Sequence, residues 1–233
     1  MKPLLLLLFT VNSFLGNTQK AQYPFVQLYQ LDSIGSTSSI SKYFGRLYFT
    51  FLGSIEKQLS SADSTTIHLV RHFEAVFAQF YIDACTDYYN HKAISIHDWE
   101  AYFSDSTLEP VQYILLGTNA HLNGRLWDAL AKSFTLEQMQ TLKGEFIIFK
   151  KSLNKTYRKV YKMALNETKD VQKLHLFTLG GDKLLGYYYL YKWRRREMKL
   201  ARLYLSNAAD FEPLLARVNK EREKINEYIF RLR

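Results

Sequence analysis

The longest amphipathic pattern in the sequence lies near its centre. Leucine and aromatic residues recur there at about 100° per residue, which places them on one helix face: Leu115, Leu116, Leu122, Leu126, Trp127, Leu130 and Phe134. Thr107 can cap this helix, and Pro110 falls in its first turn, where its missing N–H costs nothing. The pattern predicts a central helix over about residues 108–134, around which the rest of the chain is arranged.

Three amide side chains interrupt the apolar face of the central helix. Gln112, Asn119 and Asn123 fall in the middle of that face. A buried amide without a hydrogen-bond partner costs about 1–3 kcal/mol, so each of the three is expected to have one. They are therefore expected either to bind a small ligand in an interhelical polar pocket or to form a structural polar network across the core.

His121 points away from the apolar face. It lies beside Gly117 and Gly124, and the missing Cβ atoms of these glycines would let another element come close. The central helix is therefore expected to pack on both sides. His121 is a candidate catalytic base, with a structural hydrogen bond between two helices as the alternative interpretation.

The remaining chain also shows helical periodicity. It predicts helices over about residues 40–59, 65–89, 136–165, 171–206 and 211–232, and a short helix from the Ser95–Asp98 capping signature through Phe103. Gly180 and Gly181 are expected to break the helix over residues 171–206. Residues 22–36 are expected to form an extended arm. Together these elements predict a single all-α domain of about six to seven helices packed around the central helix.

The N-terminus has the pattern of a secretory signal. A basic start at Lys2 precedes an apolar run of about a dozen residues, which is too short to span a bilayer. We expect residues 1–21 to be a signal peptide cleaved after Ala21, and residues 22–233 to be one exported helical domain.

Composition and charge narrow the classes of partner. With one cysteine, Cys85, the chain cannot form an intramolecular disulfide. The net charge is +9, and removing Lys2 and Lys20 with the signal leaves +7. Export argues against nucleic acid, whereas an anionic membrane or envelope surface is compatible with the charge. The basic run from Lys192 to Arg202 could contact such a surface, or it is a solvated helix face.

Candidate chemistry lies on the helix over residues 65–89. Glu74 and Tyr81 share one edge of it, and a carboxylate near the amides and His121 would suit a hydrolase using acid–base chemistry. The alternative is a buried carboxylate bonded to a Tyr or to Trp99. His68 and His72 are spaced like a metal pair that His121 could complete, but no His-Glu-x-x-His pattern accompanies them. We therefore expect no cofactor.

Two segments together carry a family resemblance. Gln112-Tyr-Ile-Leu-Leu-Gly-Thr-Asn-Ala-His-Leu-Asn123 resembles a Gln-x-x-Leu-Leu-Gly-x-Asn-Ala-His-Ile-Asn helix, and Arg71-His-Phe-Glu-Ala-Val-Phe-Ala-Gln-Phe-Tyr-Ile-Asp-Ala84 resembles an acid-x-x-Phe-Ala-x-x-Tyr-x-x-Ala helix. Trp99-Glu-Ala-Tyr-Phe103, between them, resembles a Trp-x-x-Ala-Phe element. Over about residues 65–130 the chain thus resembles the bacterial domain-of-unknown-function family 5995.

The resemblance implies a fold and a site location rather than an activity. It directs attention to the positions that match the family motif, namely Glu74, Tyr81, Trp99, Gln112, Asn119, His121 and Asn123. Among these, the candidate ligand-binding residues are Gln112, Asn119, Asn123, Tyr81 and Trp99. At one position the chain departs from the family, which usually has an Asp two residues after the second Asn, where this chain has Arg125. If that Asp serves as a ligand or base in the family, its role is lost here.

Overall fold

The computed structural model describes residues 26–141, 145–167, 169–178 and 181–232. All regular secondary structure in these residues is helical, and the helices pack as one domain, so the predicted all-α class is confirmed. The predicted signal peptide over residues 1–21 and its cleavage point after Ala21 lie outside the described residues. Within the described ranges, no helix is both long enough and apolar enough to cross a membrane.

The N-terminal half contains three long helices and one short one. They are α1 (Val26–Gly35), α2 (Lys42–Leu59), α3 (Ser64–Tyr89) and α4 (Glu100–Phe103), with a 3₁₀ turn at His97–Trp99 before α4. The extended arm predicted over residues 22–36 is wrong from Val26 onward. Leu28, Leu31 and Ile34 recur at helical spacing and are buried where α1 packs against α2 and α3.

The central helix is continuous but not uniform. It consists of α5 (Pro110–Ala120), a π-helical turn (His121–Arg125) and α6 (Leu126–Ser133). Its N-cap is Glu109 rather than the predicted Thr107, because Gln112 accepts a hydrogen bond from the Glu109 backbone N–H at 2.9 Å in a capping box. The π turn coincides with the His121–Asn123 motif, and such turns often mark functional sites.

The C-terminal half of the described chain folds into further helices, which include two that pack against the central helix. Its helices are α7 (Leu136–Thr141), α8 (Glu145–Glu167), α9 (Lys169–Phe177), α10 (Gly181–Leu205) and α11 (Phe211–Phe230). The helix predicted over residues 136–165 corresponds to α7 and α8, and the predicted break near Gly181 coincides with the start of α10. Helices α10 and α11 pack against the central helix from one side, and α2 and α3 pack against it from the other.

Two glycines allow the close packing predicted for the central helix. A Cβ atom at Gly117 would overlap the Phe44 ring of α2. A Cβ atom at Gly124 would lie 2.8 Å from the Asp98 carboxylate. Both positions therefore require the absence of a side chain, and the central helix is enclosed on both faces.

Candidate functional site

A large cavity lies between the central helix and the helices around it. Its volume is about 640 Å³, and α2, α3, α8, α10 and α11 contribute to its walls together with the central helix. Most of the lining side chains are apolar, among them Leu47, Phe51, Leu115, Leu122, Leu153 and Ile225. Because it contains His121, we call this space the His121 cavity. The sequence predicted an interhelical polar pocket around the Asn119–Asn123 motif, whereas this cavity contains His121 without the amides and has mainly apolar walls.

His121 is buried in an aromatic box. Its ring stacks on Phe77 with centroids 3.5 Å apart, and the Tyr48 ring lies 4.4 Å away in an edge-on arrangement. The side chain is 3% exposed, and neither ring nitrogen has a hydrogen-bond partner in the described part of the chain. Burial lowers the pKa of His121 well below its ordinary value, so the ring is neutral at physiological pH.

Glu74 lines the same cavity and is also buried. The Tyr48 hydroxyl donates a hydrogen bond to Oε2 of Glu74 at 3.1 Å, whereas Oε1 has no partner among the described residues. Burial raises the pKa of Glu74 to about 8, although the Tyr48 hydrogen bond acts in the opposite direction. The carboxyl is therefore mainly protonated near neutral pH. A Tyr partner agrees with one of the two alternatives predicted for this residue.

Sequence reasoning missed Tyr48, which links Glu74 to the aromatic box. Tyr43, Leu47, Phe51 and Ile55 recur at helical spacing in the sequence of α2. The side chains buried in the same stretch are instead Phe44, Tyr48, Leu52 and Ile55. The buried set lies one position further along the helix at its N-terminal end. Aromatic and aliphatic residues occur on more than one side of α2, so periodicity left its inward side ambiguous.

The three amides of the central helix face α10 and α11 rather than the cavity. Gln112 Nε2 donates to the Ile229 carbonyl oxygen at 2.8 Å. Asn119 Nδ2 donates to the Arg222 carbonyl oxygen at 3.0 Å, and Asn123 Nδ2 donates to Asn119 Oδ1 at 2.8 Å. The structure thus separates these amides from His121. Their contacts correspond to the predicted structural network, and a ligand-binding role for them stays a prediction.

Tyr81 and Trp99 lie behind the cavity. Both are fully buried with ring centroids 4.8 Å apart, and each packs on Phe44. The Tyr81 hydroxyl donates to the Ser41 carbonyl oxygen. Neither side chain lines the His121 cavity, so their contact with it is indirect, through the Phe44 ring.

A buried ionic cluster joins the π turn to its neighbours. The Asp98 carboxylate pairs with the guanidinium groups of both Arg125 and Arg222. Asp98 is 6% exposed and Arg222 is 3% exposed, so the pairing is shielded from solvent. Arg125 therefore pairs with Asp98 of the element before α4. Sequence reasoning did not find this cluster, because its members are far apart in the chain.

In the basic run on α10, some side chains pack into the domain and others face solvent. Trp193 is 9% exposed, and the Arg196 guanidinium donates to Asn123 Oδ1 and, at 2.6 Å, to Glu221. Arg195 is exposed. A membrane contact through this run therefore cannot use Trp193 and Arg196 without unpacking them.

The structure does not assemble the three predicted histidine ligands. His68 and His72 are exposed on α3, whereas His121 is enclosed in its aromatic box. In the part of the chain that the structure describes, no three His, Cys, Asp or Glu side chains are grouped so as to hold a metal ion. In this arrangement His68 and His72 lie apart from His121, and the metal-dependent alternative stays a prediction.

Comparison with known proteins places the chain in a family. The model described as a family of unknown function, DUF5995, matches residues 27–232. The chain belongs to this family. The DUF5995 match extends far beyond the motif-bearing region around residues 65–130 and spans nearly the whole described domain. No curated protein and no solved structure matches the chain.

Proposed function

We propose that this DUF5995 protein binds an apolar small molecule, carrying one hydrogen-bonding group, in the His121 cavity. The volume of about 640 Å³ lies within the range of about 300–1,000 Å³ that is usual for small-molecule sites. The mainly apolar walls favour a hydrocarbon or aromatic body. Lys192 and Lys224 are the lysines that line the cavity, and both are at least partly exposed, so they lie towards solvent.

The polar atoms of Glu74 and His121 carry the proposal. Both residues line the cavity, both are more than nine-tenths buried, and three of their polar atoms have no partner in the described residues. Each such atom costs about 1–3 kcal/mol, a cost that a bound hydrogen-bonding group would offset. Because Glu74 is mainly protonated and His121 is neutral, an uncharged hydroxyl or carbonyl suits them better than an ion.

The first experiment tests the location of binding with N-phenyl-1-naphthylamine, an apolar dye that fluoresces when it leaves water. Leu115→Trp should fill part of the cavity and weaken dye binding by about tenfold or more. Leu176→Trp is the matched control, because this leucine is 74% exposed and outside the cavity wall. Equal dye binding by Leu115→Trp and the wild type, with both folded, would contradict the proposed location.

The second experiment tests the polar end of the site with a pair of probes that differ by one hydroxyl. We expect 1-naphthol to displace the dye at lower concentration than naphthalene, by about tenfold, because only 1-naphthol can bond Glu74 or His121. His121→Phe keeps the stacked ring but removes both nitrogens, and it should reduce this preference. An unchanged preference in both His121→Phe and Glu74→Gln would show that these groups do not recognise the hydroxyl.

The hydrolase alternative uses the same two residues. His121 would have to accept a proton although burial lowers its pKa, and no Ser or Cys is among the described residues that line the cavity. A water nucleophile activated by Glu74 and His121 would then be required. Steady cleavage of 1-naphthyl acetate that is lost in both Glu74→Gln and His121→Phe would favour this alternative over simple binding.

A further inference from the structure

Helices α9 and α10 expose a cluster of large apolar side chains. Its members, which we call the hairpin patch, are Leu176, Phe177, Leu184, Leu185 and Tyr188, with exposed fractions of 74%, 89%, 71%, 54% and 60%. Leu184, Leu185 and Tyr188 share one face of α10, and the other two end α9 just before the connection to α10. Exposed apolar residues grouped in this way mark an interaction surface, whereas single ones do not.

The same part of the chain carries the positive charge of the whole protein. Residues 145–205 contain 15 of the 31 Lys and Arg residues but only 5 of the 22 Asp and Glu residues. The rest of the chain, with 16 basic and 17 acidic residues, is close to neutral. Exposed basic residues such as Lys155, Lys159 and Lys162 on α8, the helix that packs against α9, therefore accompany the hairpin patch.

An apolar patch with basic surroundings complements an anionic lipid surface. Apolar side chains enter the boundary between headgroups and acyl chains, and lysines attract anionic headgroups. The excess of basic over acidic residues in residues 145–205 favours an anionic lipid surface over a protein partner.

We propose that the hairpin patch docks this protein on an anionic lipid bilayer. Phe177 and Leu184, among the most exposed members, lie at the acyl boundary, and the basic side chains of α8–α10 contact the headgroups. This surface lies on the exposed side of α10, whereas Trp193 and Arg196 of the basic run pack inward. The docking does not depend on whether the cavity binds a ligand.

The test is co-sedimentation of the purified protein with vesicles at low salt. We expect binding to vesicles of equal parts phosphatidylglycerol and phosphatidylcholine, weak binding to phosphatidylcholine alone, and release by added salt. Phe177→Ser and Leu184→Ser should each lower the bound fraction by about tenfold, because each removes several apolar carbons from the docking surface. Val26→Ser is the matched control, since Val26 is 51% exposed but lies on α1, outside the hairpin patch.

Two results would overturn the docking proposal. One is failure of the wild type to bind anionic vesicles at low salt, or binding that Phe177→Ser and Leu184→Ser leave unchanged. The other is a stable dimer in light scattering that these variants convert to a monomer, which would assign the patch to a second copy of the chain. Dye binding in the absence of vesicles distinguishes this failure from failure of the cavity, because neither Phe177 nor Leu184 lines it.

Discussion

Glu74 and His121 line the same cavity, yet burial shifts their pKa values in opposite directions. Burial disfavours the charged form of each, so it raises the pKa of Glu74 to about 8 and lowers the pKa of His121 well below its ordinary value. When the pH falls below about 6.5, the unfolded chain protonates His121 and the folded protein does not, which destabilises the fold. When the pH rises from about 4.5 to about 8, the unfolded chain ionises Glu74 before the folded protein does, which also destabilises the fold.

Between about pH 6.5 and pH 8, His121 is mainly neutral in both the folded and the unfolded chain, so buried carboxyl groups such as Glu74 change the stability with pH. Glu197 is fully buried, and its pKa is also raised to about 8, chiefly by burial, so among the described residues Glu74 and Glu197 contribute in this window. The free energy of unfolding should fall as pH rises, by up to about 1.4 kcal/mol per pH unit for each group. Glu74→Gln should remove one of the two contributions, because the amide does not ionise and still accepts the Tyr48 hydrogen bond.

Urea denaturation at several pH values between 6.5 and 8 measures this slope. Glu223→Gln serves as the control, because this carboxylate is exposed and its replacement should leave the slope unchanged. A wild-type slope of zero, or an identical slope in Glu74→Gln, would show that Glu74 is ionised in the folded protein.

At the scale of elements, the positions of the long helices could be predicted from the sequence, but which helices pack against one another could not. The amides Gln112 and Asn119 were expected to have hydrogen-bond partners, because they interrupt an apolar stripe. Their main acceptors are backbone carbonyls at Ile229 and Arg222, and a carbonyl has no sequence signature. Which helix would lie opposite the stripe was therefore not predictable, although the need for a partner was.

The π turn shows a second limit of helical periodicity. A pattern at about 100° per residue assumes one unbroken α-helix, and the turn over His121–Arg125 inserts an extra residue into it. Even so, the expectation that His121 faces away from the amides is confirmed by its contacts with Phe77 and Tyr48. Gly117 and Gly124 correctly predicted close packing, because a glycine inside a helix costs about 0.5–1 kcal/mol relative to alanine and here leaves room for Phe44 and Asp98.

At the scale of the whole molecule, the cavity and the distribution of surface charge arise only when the helices of the chain pack together. The His121 cavity has walls from both halves of the chain, so no single segment could reveal it. The net charge was visible in the sequence, but the side of α10 that faces solvent was not. Trp193 and Arg196 look like surface residues in the basic run. Arg196 instead packs towards α11 and the π turn, where Glu221 and Asn123 bond it, and Trp193 lines the His121 cavity.

The Asp98 carboxylate is one of the groups that connect the two halves of the chain. It precedes α4, and its two guanidinium partners lie on the π turn and on α11, so a single buried anion connects three elements that are remote in sequence. Asp98→Asn keeps the shape of the side chain but removes its charge. Arg222, which is 3% exposed, would then remain charged in the core with Asn219 as its remaining bonded side chain.

We expect Asp98→Asn to lower the free energy of unfolding by about 3–5 kcal/mol, because a buried charge that loses its partner is costly. Asp83→Asn is the matched control, since Asp83 is exposed on α3 and its contact with Gln79 contributes at most about 1 kcal/mol. Urea denaturation measures both variants under one set of conditions. If Asp98→Asn were no more destabilising than Asp83→Asn, the two halves of the domain would be held together by apolar packing and the amide contacts to α11. In that case the contact between Arg125 and Asp98 would be unimportant for the stability of the fold.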